Sequence, residues 1–210
     1  MRVLVLSGLI VLIDQVTKLV VKGCTLPLLG IEWKGMTYGA SKPILGDFFR
    51  LTYIENSGMA FGIDVGGKLF FSVVSIVASI AILYYLYDHR TAPLGFRLSL
   101  AMILGGAVGN LIDRVFYGVL FGEGPLFYGR VVDFFDVDFF DINVFGYHLS
   151  RWPVFNIADA TVTIGVLMLL VFHRAAVADE SHDQASPSPA ETGSVSDSTD
   201  RPHEADGRTL

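Results

Sequence analysis

The chain lacks most of the equipment on which soluble hydrolases rely. Cys24 is the only cysteine in 210 residues, so an intrachain disulfide is impossible and a thiolate cluster has no second thiolate to draw on. Charge is scarce: 17% of residues are charged, against about a quarter in an ordinary soluble domain. Neither HExxH nor GxSxG occurs, and the five histidines are scattered at 89, 148, 173, 182 and 203. No clustered basic face offers a nucleic-acid footprint. No metal, cofactor or nucleic-acid partner is therefore expected.

What the chain does have is apolar residue, 52% of the total, with a mean hydropathy of +0.53. The formal charge of -6 is unevenly placed. From Ala175 onward there are eight acidic residues against Arg201 and Arg208, which leaves 13 acidic and 13 basic residues before it. A neutral, apolar body over 1–174 is thus followed by a polar tail over 175–210. That tail holds almost no large apolar side chains, so disorder is expected there.

Four apolar stretches predict helices of membrane-spanning type: Val3 to Val21, Leu69 to Tyr87, Leu98 to Ile112 and Val154 to Phe172. The third is short, but it can extend past Arg97 if that side chain snorkels. The fourth contains Asp159. A central Asp costs roughly 3 kcal/mol on the insertion scale, and its Leu, Ile, Val and Phe residues together return roughly 5 kcal/mol. Asp159 also sits near one end, so the span tolerates it. The opening, from Met1-Arg2 to Gly23-Cys24, has the outline of a lipoprotein signal peptide. Asp14, Lys18 and Lys22 interrupt it, and a retained first span is expected.

Four spans put both termini on one side. Two loop regions, about Lys22 to Lys68 and Val115 to Pro153, then share the other. Alternating aromatic stretches at Gly30 to Tyr38 and Phe48 to Ile54 suggest short strands. Counts of Lys and Arg do not fix the orientation.

Ionisable residues inside spans are functional candidates by default. Asp14 and Lys18 lie four apart, acid first, the favourable order for a helical pair, and a structural ion pair is the simplest reading. Asn110, Asp113 and Arg114 end the third span on one face, after the small residues of GGAVG, which permit close helix approach. Asp113 has Arg114 as an obvious partner, so a scaffold is the plainer reading. The stretch RVVDFFDVDFFDINVF offers Asp133, Asp136, Asp138 and Asp141. Its internal echo leaves open which acid matters, and a turn-rich, interfacial surface segment is the bland alternative. Asn156 and Asp159 open the fourth span three apart. Two facing carboxylates share a proton, so one activates a water while the other polarises a carbonyl and protonates the leaving amine. The residues alone favour an intramembrane acid site without naming its substrate. A proton- or ion-relaying transporter using Asp14, Asp113 and Asp159 is the competing reading, though no inverted repeat is visible.

DQVTK, ENSGMAFG, GNLIDR, VVDF and FNIADATVTIG, in that order between Asp14 and Gly165, resemble the motifs of the lipoprotein signal peptidase (signal peptidase II) family. The resemblance implies an all-α membrane fold of four transmembrane helices, with a small extracytoplasmic β-sheet and a short extracytoplasmic helix. It implies a monomer in the cell inner membrane with both termini cytoplasmic. It makes Asp133 and Asp159 the catalytic aspartates of an endopeptidase. The substrates implied are diacylglyceryl-modified prolipoproteins, cut on the amino side of the lipidated cysteine. Asn56, Gly58, Ala60, Phe61, Asn110, Asp113, Arg114, Asn156 and Ala158 become site-shaping or substrate-contacting, with Asp14 and Lys18 in support. Membrane lipids are the other expected partner. Phe121 to Gly129 and Asp138 to Arg151 make the second loop region longer than compact members of the family would need.

Overall fold

The computed structural model describes residues 2–26, 30–58, 67–138, 142–144, 147–149 and 151–185. Its frame is four long helices: α1 (Leu4–Lys22), α2 (Gly67–Asp88), α3 (Leu94–Ile112) and α5 (Ile157–Ala185). α3 runs on through a π-helical turn, Asp113–Tyr117, into a short turn, α4 (Gly118–Leu120). Among the described residues three stretches are long and apolar enough to cross a membrane: Leu4–Lys22, Leu69–Asp88 and Leu94–Leu120. Ile157–Phe172 is a shorter apolar helix. The third span thus begins before Arg97 and continues past Ile112.

Each of the four hydropathy stretches holds a helix, but boundaries differ: α3 begins at Leu94, and α5 begins at Ile157, after Val154, Phe155 and Asn156. Helical backbone continues to Ala185, past the point where composition alone starts the tail. Extending an existing helix needs no new nucleus, and AAVADESHDQA contains nothing that breaks one. Residues after Ala185 lie outside the described set.

α1 shows what solvent the bundle is built for. Its buried residues are Ser7, Ile10, Asp14, Lys18 and Val21, at helical spacing. Its exposed residues include Val5, Leu9, Leu12, Val16 and Val20. Polar groups inside and branched aliphatics outside invert the soluble pattern, and that arrangement is stable in hydrocarbon. α3 packs against α1, α2 and α5. Glycines let it approach: a Cβ on Gly106 would collide with the Ala158 backbone oxygen of α5, and one on Gly109 would lie 2.7 Å from Asp14 Oδ2 of α1.

A three-stranded antiparallel sheet, ordered β3 (Ser41–Leu45), β4 (Phe49–Asn56), β5 (Val131–Val137), lies at the end of the bundle where α1 and α3 finish. Two small hairpins accompany it, β1 (Cys24–Leu26) with β2 (Ile31–Trp33), and β6 (Ile142–Val144) with β7 (Tyr147–Leu149). β2 and β4 fall where alternation predicted strands. β3 is additional; it tolerates Pro43 because it is an edge strand, where a missing N–H breaks no inner ladder.

The segment read as turn-rich is instead a strand. VVDFFDV pairs along β4 from Phe49↔Val137 to Asn56↔Val131, and six of its seven residues are buried. β-branched and aromatic residues suit a pleated, covered surface, and here they outweigh the turn preference of Asp. Residues 151–155 then return along β5. Trp152 N–H donates to Val137 O at 3.1 Å, and Phe135 and Phe155 exchange N–H···O bonds of 2.7 and 3.0 Å. That return delivers Asn156 to the start of α5.

Candidate active site

Asn156 is the N-cap of α5, and Asp159 is three residues on. The Asn156 side-chain oxygen accepts from Asp159 N–H at 3.0 Å, while Asp159 Oδ2 accepts from Asn156 N–H at 3.2 Å. This reciprocal pair is a capping box built from Asn and Asp. It satisfies orphan donors of the helix start and holds the Asp159 carboxylate at the positive end of the helix dipole.

The other end of Asn156 reaches Asp133. Its Nδ2 donates to Asp133 Oδ1 at 2.7 Å, and also contacts Asn110 Oδ1 at 3.0 Å and Val132 O at 3.3 Å. Asn110 in turn donates through Nδ2 to Asp159 Oδ1 at 2.7 Å. Two asparagines from α3 and the α5 cap therefore tie the two aspartates together. Asn156 is fully buried and Asp133 is 2% exposed, whereas Asp159 is partly open. A cavity of about 350 Å³ lined by Trp152, Phe155, Ala160, Thr163 and Ile164 ends on it.

Burial, and then the charge of Asp159, pushes the Asp133 carboxyl up to about 7 from an ordinary 3.8; Lys18 and the Asn156 hydrogen bond oppose the shift. A carboxyl raised in this way keeps its proton in the acid range.

Behind the pair is a buried charge centre. Lys18 Nζ lies 2.8 Å from Asp14 Oδ2, from Asp113 Oδ2 and from Asn110 Oδ1, so its three donors have three acceptors. Because lysine only donates, the Asn110 oxygen must face Lys18, and its NH2 is left to face Asp159. The Asp14–Lys18 pair read from the sequence is present and extends to a third member. Asp113 pairs with Lys18, not with the adjacent Arg114, because the π-helical turn aims Asp113 at α1. Asp113 Oδ2 also accepts from Val132 N–H at 3.2 Å, and Asp14 Oδ1 accepts from Ala158 N–H at 3.0 Å. The charge centre thus holds both the Asp133 strand and the Asp159 helix.

The remaining predicted residues are placed less centrally. Arg114 makes only long contacts, to Ser75 Oγ at 3.5 Å and Asn110 O at 3.4 Å, and pairs with no carboxylate among the described residues. Its Nε is buried without an acceptor. Asn56 is exposed at the end of β4, opposite Val131, and its side-chain oxygen takes the N–H of Gly58 (φ +98°) at 2.9 Å. Ala60 and Phe61 lie outside the described residues.

Asp136 is bound elsewhere. Thr52 donates to it at 2.6 Å and Arg151 at 2.8 Å, which hold its carboxyl below the usual range despite burial. Arg151 also reaches Asp138 at 3.3 Å. Asp141 is not among the described residues. Sequence reasoning missed Gln15, which donates to Asp113 Oδ1 at 2.8 Å and accepts from Tyr117 OH at 3.0 Å. A glutamine beside Asp14 in an apolar run was its available signal. Among the described residues no group of three or more His, Cys, Asp or Glu could hold a metal ion.

Residues 6–174 match the family described as Signal peptidase (SPase) II. The lipoprotein signal peptidase of Syntrophus aciditrophicus is 37% identical over 173 residues, covering 80% of this chain and 89% of that protein. That of Porphyromonas gingivalis is 36% identical over 197 residues, covering 80% and 81%. A solved bacterial membrane enzyme is 30% identical with a TM-score of 0.59, covering 89% of this chain and 94% of that one.

Proposed function

Because this chain belongs to the signal peptidase II family, a family of multi-pass membrane enzymes, we propose that it is an aspartyl endopeptidase acting on lipoprotein precursors. It cleaves the signal peptide of a diacylglyceryl-modified prolipoprotein on the amino side of the lipidated cysteine. Asp133 and Asp159 are its catalytic pair. The observation that carries this reading is the asparagine bridge, in which the Asn156 side-chain NH2 donates to Asp133 while its backbone N–H and the side-chain NH2 of Asn110 donate to Asp159.

The chemistry follows from the difference between the two acids. Asp133, pushed up to about 7, supplies the proton. Asp159, open to the cavity, takes one proton from a water as its oxygen attacks the scissile carbonyl carbon. Asp133 hydrogen-bonds the carbonyl oxygen as charge develops there and gives its proton to the amide nitrogen as the C–N bond breaks; the proton taken up by Asp159 then returns to Asp133 and restores the pair. Arg114 and Asn56, at the rim, contact the substrate backbone. Four helices span the inner membrane with both termini cytoplasmic, the sheet lies on the extracytoplasmic side, and the protein acts as a monomer. Residues 175–210 form an acidic cytoplasmic extension outside the peptidase unit.

The test is cleavage of a lipidated prolipoprotein by the purified protein in detergent. Asp133→Asn and Asp159→Asn should each abolish product, and Asp138→Asn should retain most of it. Full activity in Asp133→Asn, or loss in Asp138→Asn alone, would overturn the assignment.

A further inference from the structure

The end of the bundle opposite the aspartates carries a second concavity. Arg2 precedes α1, Arg90 lies between α2 and α3, and Arg97 is in the first turn of α3. With Val3, Thr91 and Leu94 they line a cavity of about 420 Å³. At the helical rise, the stretch of α3 from Arg97 to Asn110 covers about 20 Å, so this cavity is separate from the acid pair.

None of the three guanidinium groups is paired with a carboxylate among the described residues. Arg97 Nη1 donates to the Arg90 backbone oxygen at 3.0 Å, but its Nε is buried without an acceptor. Arg90 lies over the Tyr87 ring at 5.2 Å. The acid next to this turn, Asp88, is 63% exposed at its side chain and sits 3.5 Å from His89 Nδ1. α3 begins at Leu94 without a side-chain cap, so its first N–H groups add positive potential at the same end.

Arginines at a span's end help to orient it, and for that they need only be exposed. Orientation gives no reason for three of them to converge on one cavity, nor for a buried N–H with nothing to bond. A planar guanidinium matches phosphate geometry, and basic pockets between helix ends suit lipid headgroups. The flanking surface is apolar and aromatic, with Tyr84, Tyr87 and Leu94 exposed, as befits contact with acyl chains. We infer that this cavity binds the phosphate of an anionic membrane phospholipid, whose chains lie along α2 and α3. A zwitterionic headgroup brings its own cation against the three arginines and is disfavoured.

One rival polyanion is in the chain itself. Phe172 of α5 packs beside Gly95 of α3, so the acidic extension departs from this same end. The experiment separates the two. Native mass spectrometry of the full chain, released from detergent with equal phosphatidylglycerol or phosphatidylcholine, should show retention of phosphatidylglycerol. Arg90→Gln and Arg97→Gln should each weaken it roughly fivefold, and Arg130→Gln, at the sheet end, should not. Arg90 is exposed, so Arg90→Gln remains decisive even if Arg97→Gln fails to fold. Equal retention of the two lipids, or no effect of Arg90→Gln, overturns the inference. So does displacement by inorganic phosphate, which makes this a free-phosphate site. A preference that appears only after residues 181–210 are removed assigns the cavity to the acidic extension and overturns it likewise.

Discussion

Asn156 performs two tasks that substitution can separate. Its side-chain oxygen caps α5 through Asp159 N–H at 3.0 Å, and its NH2 group holds Asp133 Oδ1 at 2.7 Å. Serine keeps an N-cap oxygen but has no NH2 that reaches Asp133; alanine has neither. An N-cap contributes about 1 kcal/mol, which for a chain of this size corresponds to about 2–4 °C in Tm. A hydrogen bond to a charged group is worth roughly 1.5–3 kcal/mol. If that bond is fully used in the transition state, its loss lowers kcat roughly 10- to 100-fold. Asn156→Ser should therefore melt close to the parent while losing activity, and Asn156→Ala should lose as much activity and also melt lower. The assays are prolipoprotein cleavage with kcat and KM resolved, and thermal loss of monodisperse protein in detergent. Parental kcat in Asn156→Ser would refute the role given to the amide, and identical melting of the two variants would refute the cap.

The pH dependence has a definite sign. The carboxyl of Asp133 is pushed up to about 7, so its proton is present below that value and kcat/KM should fall as pH rises through it. The same shift makes the folded state lose stability as pH rises from about 4, where the unfolded carboxyl ionises, to about 7, with no further loss from this group above that; a flat rate profile from about pH 6 to about pH 9 would contradict the first expectation, and melting that does not fall between about pH 4 and about pH 7 the second. Lys18→Met leaves Asp14 and Asp113 buried without their cation, and such losses cost about 3–5 kcal/mol. Little folded protein is expected from that variant, and Lys18→Met with Asp113→Asn should recover part of it; equal melting of parent and Lys18→Met would show that the centre is not needed. Deleting residues 181–210 should leave turnover unchanged, because the family match ends at residue 174; a folded but slow truncated protein would argue against that.

The four apolar helices were legible because hydropathy over a long window is a sum, and neighbours seldom reverse it. Asp159 was legible for a related reason: a carboxylate in an apolar run stands out against its own helix. Asp133 was not, because the echo DFFDVDFFD presents four acids in equivalent local settings. What distinguishes them is the register of β5 on β4. Asp136, opposite Arg50, meets Thr52 and the returning Arg151, while Asp133, opposite Ile54, turns to the Asn156 amide. Strand register across some 80 residues of sequence is a tertiary fact, and no local pattern encodes it.

The partner of Asp113 was hidden in the same way. Sequence adjacency favours Arg114, yet side chains at i and i+1 on a helix do not face each other. The π-helical turn then carries Asp113 toward α1 and leaves Arg114 unpaired. This has a chemical consequence beyond bookkeeping of pairs. If Asp113 turned to Arg114 instead, Lys18 would lose one of the three acceptors that fix it beside Asn110. With Asp113 on Lys18, the Asn110 oxygen stays fixed toward Lys18 and its NH2 stays on Asp159. The partner that Asp113 takes thus bears on how the two aspartates are held.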